Sequence, residues 1–188
     1  MSAAMNELVK DLKEKQKQSK GLEKSIQKNV ETWRRNVNVF FGNVKKWLSP
    51  LVRDKLVDIS ENPITIAEEL ATYDTSELVI SFSPNNRIIK LVPKGTYIIG
   101  ANGRIDLEAG FIKPIKFVLM SKRATSADDL IQIKEASASN AIAMNISWGG
   151  KGAEDTLVWK IAPNDISRGT FEELDDNAFA NIIKKLVL

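Results

Sequence analysis

The chain contains no cysteine and no histidine. Without cysteine there is no disulfide, no thiolate nucleophile and no Cys-ligated zinc or iron–sulfur site. Without histidine the usual general base near neutral pH and the commonest metal ligand are missing. Catalysis would fall to Asp, Glu, Lys, Tyr or Ser, and a bound metal would need oxygen ligands. No apolar run reaches the ~18–20 residues of a membrane span. The start, Met1-Ser2-Ala3-Ala4-Met5-Asn6-Glu7, lacks the apolar stretch of a signal peptide. These absences point to a cytoplasmic protein with no cofactor, no bound metal and no membrane partner.

What is present is ordinary for a globular chain. The 188 residues are 43% hydrophobic, with only 10 Gly and 6 Pro. That length buries a sizeable core without covalent staples. Charge, however, is unevenly spread. Residues 1–56 carry 13 Lys or Arg against 6 Asp or Glu, and residues 57–188 carry 14 against 18. The division reads as a basic helical arm, 1–56, followed by an acidic α+β body, 57–188.

The arm has a helical stripe. Met5, Leu12, Ile26, Trp33, Phe40 and Trp47 recur at seven-residue spacing with Ser19 interrupting, and Val9, Val30, Val37, Val44 and Leu51 sit four residues after members of that row. Rows at i and i+4 share one helix face. Pro50 predicts the helix end, because proline donates no N–H and disfavours a helical residue before it. One straight helix over residues 5–48 would be about 66 Å long, against about 35–40 Å for the body. It therefore breaks near Gly21 into a helical hairpin, projects into solvent, or pairs with another chain.

Beyond the arm, Ile59-Ser60-Glu61-Asn62-Pro63 reads as a turn and residues 64–73 as a short helix, with Thr65 and Glu68 as its capping box. Strands are predicted at 78–82, 87–92, 97–100, 104–108, 115–120, 130–134, 141–148 and 156–161. Ser83-Pro84-Asn85-Asn86 reads as a hairpin loop, and Ala101-Asn102-Gly103 carries the Asn-Gly hairpin signal. Residues 170–188 predict a C-terminal helix with a Thr170–Glu173 capping box, an acidic start and Lys184 and Lys185 in the last turn. The fold class is α+β. It has a long N-terminal helix or helical hairpin, a mostly antiparallel sheet, sandwich or partial barrel of about eight strands, and a C-terminal helix.

Several residue sets carry chemistry. Lys10, Lys13, Lys17, Lys20, Lys24 and Lys28, with Lys15, Arg34 and Arg35, recur along the arm and could neutralise nucleic-acid phosphates. Interleaved Glu7, Asp11, Glu14 and Glu23 equally describe a solvated helix face. Trp33, Phe40 and Trp47 are either a partner-binding face or the side that packs on the sheet. Gly149-Gly150-Lys151-Gly152 lacks the strand-then-helix setting of a phosphate loop, since a strand follows it. Asp106, Gln132 and Lys134, with Glu68 or Glu69 as an outer ligand, match part of a Mg-dependent PD-(D/E)xK nuclease pattern, although Gln stands where that pattern needs Glu. The adjacent pairs Asp128-Asp129 and Asp175-Asp176 suit loops and helix starts rather than acid–base work.

Gly95-Thr96-Tyr97-Ile98-Ile99-Gly100-Ala101-Asn102-Gly103-Arg104-Ile105-Asp106-Leu107 resembles a signature of small uncharacterised bacterial proteins. Those proteins pair an N-terminal helix, ending here in Trp47-Leu48-Ser49-Pro50-Leu51, with this G-T-x-I-I-G-A-x-G-R-x-D segment, a Trp159-Lys160-Ile161 strand and an acidic helix start. The resemblance implies no activity and carries over no functional residues. The functional expectation is a non-enzymatic interaction or accessory protein, binding a protein partner or itself through the N-terminal helix. The alternatives are nucleic-acid binding through the basic arm and the Mg-dependent nuclease.

Overall fold

A computed structural model describes residues 3–96, 101–110, 112–125, 156–165 and 169–188. Helix α1 (Ala3–Arg53) leads into strands β1 (Val57–Ala67), β2 (Thr72–Phe82), β3 (Arg87–Gly95), β4 (Arg104–Glu108), β5 (Ile115–Ser121), β6 (Leu157–Ile161) and β7 (Glu172–Glu173), and the chain closes with helix α2 (Asp176–Val187). Among the described residues the strands form one seven-stranded sheet in chain order, β1 to β7, every neighbour antiparallel. The fold is α+β.

Helix α1 does not break at Gly21. It runs 51 residues, about 76 Å at ~1.5 Å per residue. Nor does it stop at Pro50, which sits inside its last turns. The end is a Schellman turn: Lys55 adopts φ 57°, its N–H donates to the Val52 carbonyl, and the Leu56 N–H donates to the Leu51 carbonyl.

Alternation along the strands gives the sheet two faces. Leu78, Ile80, Phe82, Ile89, Leu91, Ile105, Leu107 and Phe117 share one core with Trp33, Val37, Phe40, Phe41 and Val44 of α1 and with Phe179 and Ile183 of α2. Rings link the elements. Phe40 lies 4.7 Å from Trp159 and 5.8 Å from Phe117, and Trp47 lies 5.5 Å from Phe179, centroid to centroid. Each side chain so buried contributes roughly 1.5–3 kcal/mol. Register places Lys90 opposite Glu108 and Asp106 opposite Lys116 on the other face. That face is paired by charge. Lys90 Nζ donates to Glu77 at 3.0 Å, Lys94 Nζ to Glu108 at 2.8 Å, and Arg104 bidentately to Asp106 at 2.6 and 2.8 Å.

The expected strands 78–82, 87–92, 104–108 and 115–120 fall within strands of the sheet, and 156–161 matches β6 but for Thr156. Those at 97–100, 130–134 and 141–148 lie outside the described residues, as do Gly149–Gly152, Asp128 and Asp129. The expected helix over 64–73 is corrected. Residues through Ala67 continue β1, the Glu68 N–H donates to the Ala71 carbonyl in a turn, and β2 begins at Thr72. Thr65 caps nothing; its hydroxyl donates to Asp74 across the hairpin at 2.7 Å. Pro63 is accommodated because β1 is the edge strand among the described residues, with β2 beside it. Asn102 and Gly103 are likewise not a tight turn, since they exchange backbone bonds with Leu119 and extend the β4–β5 pairing. Glu172 and Glu173 form β7, so the cap of α2 is Asp175, whose carboxylate accepts the Ala178 N–H at 2.7 Å.

Candidate functional site

Two features stand out: the exposed half of α1 and a cavity at its root. Every residue from 5 to 25 is exposed, Ile26 is half-buried, and Val30 is the first buried position. The second half of α1 is packed on the sheet from Val30 onward, and the first half is exposed.

The projecting half carries two rows. Met5, Leu8, Leu12, Ser19, Leu22 and Ile26 step by three, four or seven residues into Val30, Trp33 and Val37, so they prolong the line that packs on the sheet. Met5, Leu8, Leu12 and Leu22 are each about half exposed. Lys10, Lys13, Lys17, Lys20, Lys24 and Lys28 step by three or four residues along the opposite side, one cation per turn, and Arg35 continues that row. Arg34 and Lys15 lie off it. All of these cations are exposed.

Of the expected partner-binding aromatics, Trp33 and Phe40 are 1% exposed and Trp47 is half-buried against Phe179. As a partner surface this row is corrected. Its rings are covered by the chain's own sheet and by α2, because the large apolar side chains at that spacing are what the inner face of the sheet needs. Asp106 is 3% exposed and accepts from Nε and Nη2 of Arg104. The Asp106 hydrogen bonds push the Arg104 guanidinium further above its ordinary pKa. Gln132 and Lys134 lie outside the described residues. Glu68 is engaged elsewhere: it accepts the Thr96 N–H at 2.7 Å, the Thr96 hydroxyl at 3.1 Å and the Tyr73 hydroxyl at 2.7 Å. Among the described residues no three Asp or Glu side chains gather as a metal site would require.

The cavity, about 70 Å³, lies where α1 leaves the body. Asn29, Thr32, Trp33 and Asn36 line it from the helix, Thr96 and Asn102 from either side of the β3–β4 connection, and Leu157 from β6. Two glycines make the wall possible. Gly95 has φ 125° and passes against the Glu68 side chain, and Gly103 has φ 144° and passes against the Trp33 ring. Of the segment from Gly95 to Leu107 singled out in the sequence, Thr96 and Asn102 line the cavity. The sequence reading missed these cavity residues. The available signal was Asn29, Thr32 and Asn36, three weak helix formers on the flank of Trp33 at helical spacing.

On the charged face, the Lys90 hydrogen bond holds the Glu77 carboxyl below its ordinary range against the opposing effect of burial, and Asn62 adds a second donor. Lys160, 4% exposed, donates to the backbone carbonyls of Lys122 and Ala124. Both arrangements are internally paired.

In comparison with protein families, curated proteins and solved structures, no family model matches the chain and no significant match to a curated protein or solved structure is found. No helix among the described residues is long and apolar enough to cross a membrane.

Proposed function

We propose that this chain is a non-enzymatic interaction or accessory protein of the bacterial cytoplasm, which holds a protein partner or a second copy of itself along the exposed half of α1. One observation carries the reading: the row that builds the core continues through Ile26 and Leu22 and, past the polar Ser19 and Lys15, through Leu12, Leu8 and Met5, beyond the last residue the sheet covers. A helix presenting anchors at i, i+3, i+4 and i+7 is a common protein-recognition surface. The contact moves from Trp33, Phe40 and Trp47, which the body occupies, to the row N-terminal of them.

The second reading is nucleic-acid binding, and the cationic row on the other side of the same half favours it. Contacts to phosphates through such a row would lose affinity steeply with salt.

The test is capture from a bacterial lysate by the full chain, with and without nuclease. It is compared with a Leu8→Ser, Leu12→Ser variant and with a variant carrying Lys10, Lys13, Lys17 and Lys20 all as Gln. A nuclease-resistant protein, or self-association, lost in the Leu variant supports the first reading. Material lost with nuclease and in the Lys variant supports the second. Capture unchanged in both variants contradicts both.

A further inference from the structure

Along its exposed half, α1 keeps the seven-residue register of its buried half. In a heptad lettered a to g, Val30 and Val37 hold a positions and Trp33 and Phe40 hold d positions, and these side chains pack on the sheet. The same register runs back to Ile26 and Leu12 at d and Val9 at a, with Leu22 and Leu8 beside them at g. A narrow seam of this period is what one helix offers another in a coiled coil. Its middle is polar, because Gln16 holds an a position and Ser19 a d position.

The flanks of the seam select the partner. In a two-helix seam the e and g side chains meet across the interface, and their charges set partner choice. Between residues 6 and 27 the e positions are Asn6, Lys13, Lys20 and Gln27, and the g positions are Leu8, Lys15 and Leu22. None of them is acidic. The acids of this stretch fall elsewhere, Glu7 and Glu14 at f, Asp11 at c and Glu23 at a. Lys13, Lys15 and Lys20 are exposed.

A second copy of the chain is therefore a poor occupant. In parallel pairing Lys15 of one copy meets Lys20 of the other, and Glu23 faces Glu23. In antiparallel pairing e meets e and g meets g, and no acid stands at either. Like charges so placed are destabilising by about as much as opposite charges stabilise. A helix with Glu or Asp at its flanks turns each of these lysines into an interhelical ion pair.

We propose that the occupant of this face is an acidic amphipathic helix of another protein. Its apolar seam lies on Leu8, Val9, Leu12, Leu22 and Ile26, and its acidic flanks lie on Lys13, Lys15 and Lys20. This rests on the reading of the arm as a protein-docking surface and adds the chemistry of the partner.

The probe is a synthetic peptide of about 21 residues, three heptads. It carries Leu at the outer a and d positions, Asn at the central a and d, and Glu at every e and g. A second peptide differs only in having Lys at e and g. Each, dye-labelled, is titrated with the full-length protein by fluorescence anisotropy, and sedimentation equilibrium of the protein alone reports self-association. The expected result is saturable binding of the Glu peptide, about tenfold tighter than the Lys peptide, as a few exposed ion pairs would give. A Lys13→Glu, Lys15→Glu, Lys20→Glu variant, changed only at exposed positions, should reverse that preference. A Leu8→Ser, Leu12→Ser variant should lose binding of the Glu peptide. Equal binding of the two peptides, binding of neither, or dimerisation of the protein alone would overturn the proposal. If that equal binding or dimerisation is lost in the Leu variant, the docking row stands and only the acidic partner falls. Glu-peptide binding unchanged in the Leu variant but lost in the Lys variant would be a contact of charge alone, and would overturn both.

Discussion

The ring of Trp33 occupies the space that a side chain at position 103 would need. A Cβ built on Gly103 would fall against Cζ3, Cε3 and Cη2 of that ring, and the backbone there has φ 144°. The helix is seated on the β4 end of the sheet through this approach, and the cavity lies beside it.

Gly103→Ala should therefore destabilise the protein by roughly 2–4 kcal/mol, combining an unfavourable backbone region with a steric conflict in the core. Gly21 is the contrast, since nothing lies within 4 Å of a Cβ there. Gly21→Ala should strengthen the local helix by up to about 1 kcal/mol. Hydrogen exchange in the exposed half of α1 would slow while the global unfolding midpoint stays put.

The two halves of α1 should respond differently to truncation of an apolar side chain. Phe40, 1% exposed and packed on Phe117 and Trp159, should cost about 3–5 kcal/mol when changed to Ala. Leu12, 57% exposed, should change stability by no more than about 0.5 kcal/mol. Equilibrium denaturation of the two variants checks the pair.

The charged face predicts a pH dependence. Lys90 holds the Glu77 carboxyl below its unfolded value. A depressed folded pKa contributes stability that is present above the unfolded value, about 4.3, and is lost as pH falls through the folded value. Lys90 is partly exposed, which keeps the contribution small. Glu77→Gln should cost about 1 kcal/mol at neutral pH. The gap between variant and parent should close as the pH is lowered below the ordinary carboxylate range.

Much of this architecture was legible in the chain. The stripe through Trp33, Phe40 and Trp47 marked the helix, and strong β formers at 78–82, 87–92, 104–108 and 115–120 marked central strands because those segments are apolar on a face the helix covers. The edge was not legible. Asn62-Pro63 imitates a turn, and Ile64, Ala67, Glu68 and Ala71 imitate a helix face. Only pairing with β2, which begins well before its apolar run, makes that stretch a strand. The role of the aromatic row was also ambiguous, since core and partner faces share one pattern and only the position of the sheet distinguishes them. The cavity was hidden because its lining is assembled from α1, the β3–β4 connection and β6, which are distant in sequence.

The cap of α2 offers a local check of the same kind. Thr170 and Glu173 have the spacing of a capping box, yet Asp175 accepts the Ala178 N–H. Asp175→Ala should cost about 1 kcal/mol, and Thr170→Ala, at an exposed position before β7, close to nothing. Thermal unfolding of the two variants separates the assignments.

Whether α1 runs unbroken past Gly21 decides whether the apolar and cationic rows exist as continuous surfaces, and a chain with no cysteine makes it directly measurable. Spin labels on Lys10→Cys and Lys28→Cys, both exposed on α1, would report their separation by pulsed electron resonance. A continuous helix predicts a narrow distribution centred near about 27 Å of backbone separation. A shorter, broad distribution would mean that the helix folds back at Gly21, and would contradict a docking surface built on one extended arm.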